Sequence, residues 1–408
     1  MKVKKRRQKG NNLPYMILFA LIIFISALLA ILMIQKNEAP QQTQAVVTDT
    51  SSIQTSSQNE ERASTKEDTT VRLIGVGDNL IHEALYKQAQ KRAGGEGYDF
   101  TYAYENVADI IQSADIASIN QETVMADIYE PSAYPMFNSP TALGKHLEKI
   151  GFDVFNQANN HTIDKGEKGI LSTIDFWSTQ DAKLTGVYKN IEDYDNIRTI
   201  TTNDITFSFI GMTQLTNGLN LPADSDIIVM RTSDGDKIRG RIKKAKGISD
   251  VVVVNVHWGE EYTHEPNQTQ KAMAKQMIEW GADVILGHHP HVIQPVEYIE
   301  RADGTRGIVA YSLGNFISAQ DRAVRMIGGM LDLVITKSFE ENKIEISSVG
   351  FVPIITHYGA GFADVRNYTL ENYTAELASK HGVKAKDANF SLDYINNTVR
   401  SVIDGQFL

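Results

Sequence analysis

Residues 283–292 read D-V-I-L-G-H-H-P-H-V and place three of the chain's ten histidines in one turn. The run Val284-Ile285-Leu286 is short and β-branched, so it reads as a buried strand, and Gly287 is expected to let the backbone turn as the strand ends. His289 and His291 then stand two apart across the stiff Pro290. Two imidazoles on such a turn can face one metal ion or one phosphate; a His-rich surface turn is the competing reading. What favours the first is that similar groups gather wherever an apolar run stops. Val71–Gly77 runs into Asp78-Asn79, with His82 beyond, and Ile116–Ile119 into Asn120-Gln121-Glu122. Phe152–Ala158 runs into Asn159-Asn160-His161 and Asp164, and Val251–Val256 into His257-Trp258-Gly259-Glu260-Glu261. Ile308–Leu313 runs into Gly314-Asn315. Carboxylate, amide oxygen and imidazole together suit a borderline divalent ion such as Mn²⁺, Zn²⁺ or Fe. Two adjacent ions need a bridging carboxylate with ligands on either side, which one Asp, one Glu, one Asn and three His can supply.

The elements that must hold these groups alternate along the chain. Further apolar runs at Phe152–Phe155 and Ile205–Ile210 read as strands, and stretches between the runs have helical spacing. Ala103, Tyr104, Val107, Ala108 and Ile111 share one helix face. Ser139-Pro140 reads as an N-cap followed by proline, ahead of Leu143, Leu147 and Ile150. Asn267 with Gln270 reads as a capping box, and Gly281 as the end of that helix. Met330–Thr336 and Lys343–Val352 read as a hairpin-like pair of strands. Strands alternating with helices predict an α/β domain with much parallel sheet, and ligands bind such sheets outside the carboxyl ends of the strands.

In this order the motifs G-D-N, N-Q-E, N-N-H-T-I-D-K-G, H-W-G-E-E-Y, G-H-H-P-H and Y-S-L-G-N-F resemble the CapA family of capsule and poly-γ-glutamate synthesis proteins, over roughly residues 71–320. The resemblance implies a calcineurin-like metallophosphoesterase fold, an αββα sandwich, holding two divalent ions. It further implies that Asp78 and His291 hold the first ion, that Asn160, His257 and His289 hold the second, and that Glu122 bridges them. His161 would be the general acid toward a phosphoester, oriented by Asp164. From their place in the motifs, Glu261 and Tyr262 are read as substrate contacts and Asn315 as lining the substrate site. Two positions depart from the wider phosphoesterase pattern: Leu80 stands where a histidine is usual, and the bridge is Glu122 rather than Asp. His82 offers a replacement, with a helix-face histidine as the competing reading. Arg322 and Arg325 are read as solvated charges in preference to contacts with an anionic substrate.

Ahead of this domain the chain changes character twice. Residues 1–12 carry six Lys or Arg and no acid, and Tyr15–Ile34 is apolar apart from Tyr15 and Ser26, long enough to cross a bilayer. With no A-x-A cleavage pattern, residues 13–35 are expected to be an uncleaved anchor with a cytoplasmic basic tail, placing the rest outside the cell. Residues 36–70, rich in Gln, Ser, Thr and Glu, are expected to be a flexible stalk, 71–357 the domain, and 358–408 an extension without a clear pattern. Cysteine is absent, so disulfides and thiolate ligands are excluded. Seven of the 40 Lys and Arg lie within the first 36 residues, leaving 33 against 50 acids, or −17, for the remainder. Such a balance argues against nucleic acid as partner; the basic stretch Lys237–Lys246 reads as a solvated helix face. The expected partners are the membrane, other membrane proteins of polymer synthesis, and an anionic polymer or phosphoester. The expected function is capsule or poly-γ-glutamate synthesis or export. A surface phosphoesterase unrelated to capsule, or a non-catalytic binding subunit, are the alternatives.

Overall fold

The computed structural model describes residues 66–408. The expected anchor and nearly all of the expected stalk lie outside the described residues. Among those described, no helix is long and apolar enough to cross a membrane.

The first half of the domain contains strands β1 (Thr69–Asn79), β2 (Ile116–Gln121), β3 (Val154–Asn156), β4 (Lys183–Thr185), β5 (Val187–Tyr188), β6 (Arg198–Thr202), β7 (Ile205–Thr213) and β8 (Ile228–Val229). Then follow β9 (Val251–His257), β10 (Val284–His288), β11 (Val296–Glu300), β12 (Arg306–Ala310), β13 (Asn315–Ile317), β14 (Ile327–Ser338), β15 (Lys343–His357) and β16 (Arg366–Thr369). The helices are α1 (Glu83–Arg92), α2 (Thr101–Gln112), α3 (Thr141–Lys149), α4 (Gly166–Ser178), α5 (Ile191–Asp195), α6 (Gly235–Lys246), α7 (Gln268–Trp280), α8 (Ala375–Lys380) and α9 (Leu392–Val402).

Two mixed sheets result. The first runs β16-β15-β14-β1-β2-β3-β4, with β13 also beside β1; the second runs β11-β12-β10-β9-β7-β6; β5 and β8 form a small ribbon. Strands β1 to β4 are mutually parallel, as are β7, β9, β10 and β12, and antiparallel strands flank both groups. The apolar runs explain the placement. β9 is buried at every position, the pattern of a central parallel strand covered on both faces. The sheets meet face to face, and Ser118 on β2 reaches Asn255 on β9 across the interface, 3.4 Å apart. Helices α6 and α7 cover the outer face of the second sheet, with Ile238, Ile242, Met277 and Ile278 packed on Val252, Val254 and Ile285. On the first sheet, Tyr104 of α2 stacks on Phe316 at 5.8 Å between ring centres, and Trp177 of α4 lies on Phe155 at 4.0 Å. The order of layers is therefore helix, sheet, sheet, helix.

The local signals differ in outcome. At α7 the capping box of Asn267 and Gln270 forms, and Gly281 ends the helix with φ +118°. At α3 the cap position falls on Pro140, with no side-chain cap bond, because the Ser139 hydroxyl is engaged with Thr123 at 2.7 Å. On α6 the basic stretch is not wholly solvated: Arg241 is buried, bonded to the Tyr188 hydroxyl at 3.0 Å and to the Tyr194 carbonyl. Residues 358–408 are built into the fold. β16 extends the first sheet along β15, and Ile395 and Val399 of α9 join the core.

Candidate metal centre

The parallel strands deliver their carboxyl ends to one edge of the inter-sheet seam. Register places Asp78 of β1 beside Asn120 of β2 and Asn315 of β13, and His257 of β9 beside His288 of β10. Side chains alternate along a strand, so Val253, Asn255 and His257 share the face that looks toward the first sheet, as do Leu286 and His288. The turn after β10 differs from its sequence expectation. Gly287 stays in the strand, where an added Cβ would lie 2.0 Å from the Tyr311 carbonyl oxygen; its role is close approach of two backbones, not turning. The turn falls on His289 (φ +99°) and His291 (φ +57°), a conformation that L residues adopt at some cost and that collects at functional sites.

Asp78, Glu122, His257, His289 and His291 come together here, all nearly or fully buried. Two sets of three share one carboxylate: Asp78, Glu122 and His291 offer donor atoms within 4.8 Å of one another, as do Glu122, His257 and His289. Asn160 joins the second set, its Oδ1 3.1 Å from His257 Nε2. Glu122 Oε1 is 3.6 Å from His291 Nε2 and 3.8 Å from His257 Nε2. Those are ion-pair distances, and neither Glu122 oxygen has a hydrogen-bond partner. The Nδ1 atoms of His288 and His289 are orphaned too. Leaving a carboxylate buried and unbonded is expensive; the donor set fits a cation in contact with it.

The electrostatics follow from burial. Desolvation drives Glu122 well above the usual carboxylate range, against the pull of His291. It also takes His257 well below the usual histidine value, and His289 down to about 4 with help from the charge on His291. His291 is the exception. Burial works against its charge, but Glu122 and Asp78 outweigh it and raise it to about 9. Asp78 is lowered despite its burial, through its bond to and the charge of His291.

His161 lies beside this cluster. Its Nδ1–H donates to Asp164 Oδ2 at 2.8 Å, which leaves Nε2 as the nitrogen able to exchange a proton with a substrate. Asp164 is fixed in turn by the backbone N–H of Phe137 at 2.7 Å, and the Phe137 ring meets His161 edge-on at 4.7 Å. The loop carrying Phe137 was unassigned by sequence, since its contact with His161 is long-range and has no local pattern. Glu261 is exposed and its carboxylate reaches His289 and His291, so it is within range of the centre itself. Tyr262 is 40% exposed and stacks over His291, rings 6.1 Å apart. Asn315 sits behind His291: its Oδ1 is 3.0 Å from His291 Nδ1, and its amide N–H groups go to Gln320 and to the Arg325 carbonyl. Tyr311 is in the outer core against Trp258.

Two residues at the site escaped assignment. Asn120 donates to Asp78 Oδ1 at 2.7 Å and lies 3.3 Å from His257 Nδ1, tying the two sheets together. His288 faces Asp78 Oδ1 at 3.8 Å and Asn255 at 3.2 Å; strand alternation from Leu286 was the signal for it. His82 presents Nδ1 to the N–H of Ala319 at 3.2 Å and belongs to none of the clustered donor sets.

The family model described as "Bacterial capsule synthesis protein PGA_cap" matches residues 72–320. The capsule biosynthesis protein CapA of Bacillus anthracis is 33% identical over 235 residues, 55% of this chain and 55% of that protein. The PGA biosynthesis protein CapA of Bacillus subtilis (strain 168) is 30% identical over 249 residues, 60% of this chain and 62% of that one. The match thus spans somewhat over half the length of these relatives. Among solved structures, a novel phosphatase from Mycoplasma pneumoniae superimposes with a TM-score of 0.45 at 12% identity, covering 71% of this chain and 95% of that one. The NAD nucleotidase of Haemophilus influenzae gives 0.41 at 11% identity, covering 82% and 60%. Those superpositions are too loose to carry residue roles.

Proposed function

Starting from the bacterial capsule synthesis family PGA_cap, to which this chain belongs, we propose that the protein acts in the synthesis or export of a capsule-type polymer and cleaves a phosphoester at a two-ion centre. The observation that carries this reading is Glu122, a fully buried carboxylate without a hydrogen bond, shared by two sets of ligands. Asp78 and His291 would hold one divalent ion; Asn160, His257 and His289 the other. Such ions supply Lewis-acid stabilisation of the charge that develops on phosphoryl oxygens. The chain's own residues do the rest. Asn120 and the His289 backbone N–H hold Asp78, and Asn315 holds His291, so the ligands are set before substrate arrives. His161, its Nδ1–H locked on Asp164, gives a proton from Nε2 to the departing oxygen. Glu261 and Tyr262 form the open side on which substrate enters.

The basic flank and apolar segment at the N-terminus support a single membrane pass with the domain outside, next to other membrane proteins of polymer synthesis. The test is purification in detergent, metal analysis, and hydrolysis of nitrophenyl phosphate mono- and diesters with added Mn²⁺ or Zn²⁺. Turnover abolished by chelator and restored by metal supports the reading; a metal-loaded protein inert toward every ester overturns it.

A further inference from the structure

Beside the metal centre a groove of about 440 Å³ is lined by Tyr262, Arg322, Arg325, Lys386, Phe390 and Tyr394. We propose that this groove binds an anionic stretch of the substrate chain, a linear oligomer carrying carboxylate or phosphate groups, and so sets which polymer reaches the centre. The proposal rests on the reading of the centre given above.

The groove and the centre share a wall. Tyr262 stacks on His291, and the Arg325 guanidinium lies 3.5 Å from the Tyr262 ring centre on the groove side. The Arg325 carbonyl accepts from Asn315, the residue that holds His291. A ligand touching Arg325 is therefore one side chain away from a metal ligand.

The charges are only partly spent on one another. Asp321 is engaged by Lys386 and lies 3.9 Å from Arg325, an ion-pair distance too long for a hydrogen bond. Asp387 accepts from the Ala323 N–H at 2.7 Å and stands 3.6 Å from Arg322. Three cations thus face two carboxylates. The Arg325 Nε atom is buried with no hydrogen-bond partner. An unpaired guanidinium N–H in such a place is costly, and an anionic oxygen would satisfy it. Tyr394 and Tyr262 add apolar surface for the carbon backbone of a chain. A volume of this size exceeds what one carboxylate or phosphate needs.

All of these lining residues except Tyr262 follow residue 320, where the match to the family ends. The groove is therefore built mostly from segments outside that match. That is where a choice among polymers would be expected to lie, with the metal ligands inside the matched residues.

The test is binding of two labelled probes, a glutamate oligomer and inorganic polyphosphate, to the full chain in detergent, read by fluorescence anisotropy. A chelator keeps the metal centre out of the measurement. Three proteins are compared: wild type, Arg322→Ala with Lys386→Ala, and a control, Lys237→Ala with Lys244→Ala, which removes the same charge from α6. Arg322 and Lys386 are about half exposed, so the pair of changes should leave the melting temperature near that of wild type. The expected result is about tenfold weaker binding of at least one probe in the groove variant. The control should bind like wild type, and the groove variant should keep its metal content. Which probe responds identifies the carboxylate or the phosphate source. Wild-type binding of neither probe, or equal binding by groove variant and wild type, overturns the proposal, as does equal loss in the control. If the groove variant loses binding while wild type cleaves no ester, the groove stands and the reading of the centre fails.

Discussion

Replacing Glu122 with glutamine should uncouple the fold from metal. In the absence of ions the change should be small, within about 1 kcal/mol, because Glu122 has no hydrogen bond to lose. With ions at about a thousand times their dissociation constant, the native protein gains about 4 kcal/mol. For a domain of this size, an unfolding entropy of about 2 cal/mol/K per residue converts that gain into a rise of about 6 °C in Tm. Glutamine keeps one oxygen but removes the negative charge on which both ligand sets converge. A weakening of at least about a hundredfold follows, and at the same ion concentration it leaves about 1.4 kcal/mol, or about 2 °C. Thermal melts in chelator and then in Mn²⁺ measure both numbers. If Glu122→Gln rises with metal as far as wild type does, the shared-carboxylate account is wrong.

Other outcomes follow from the same geometry. His161→Asn should keep its metal and lose about 10²–10⁴-fold in kcat, with a smaller loss for a nitrophenol leaving group that needs no proton; metal analysis beside steady-state kinetics checks this. Gly287→Ala should cost about 3 kcal/mol and reduce metal uptake, since the Tyr311 carbonyl lies where the methyl would go; urea titration measures it. The buried His381 donates from Nε2 to the Thr356 carbonyl and accepts the Val383 N–H at Nδ1, so it must be neutral, and burial lowers it to about 4. Its folded value lies below the unfolded 6.5, so its contribution is whole above pH 6.5 and is lost as pH falls toward 4, by about 2 kcal/mol at pH 5. His381→Gln should flatten that slope in chelator, and an unchanged difference between urea midpoints at pH 7 and pH 5 would count against it.

Legibility in the sequence depended on whether a feature is local. The run Val251–Val256 and the caps at Asn267 and Gly281 depend on neighbours in sequence, and they appear as read. The strand ends carrying Asp78, Glu122, His257, His289 and His291 were legible because parallel strands send their carboxyl ends the same way. What escaped is what only packing decides. Gly287 reads as a turn by residue type, yet the Tyr311 carbonyl that requires it comes from a neighbouring strand. Ser139 reads as a cap until Thr123 takes its hydroxyl. β13 and β16 are three and four residues long and exist through their pairing with β1 and β15. Arg325 looked like a solvated charge because Tyr262, the ring beneath it, is distant in sequence.

The central claim is two ions sharing Glu122, and the most direct measurement is an anomalous difference map from crystals soaked in Mn²⁺. The account predicts two peaks about 3.5–4 Å apart, one against Asp78 and His291, the other against Asn160, His257 and His289, with Glu122 between them. A lone peak held by Glu261, His289 and His291, or no peak near Glu122, would contradict it.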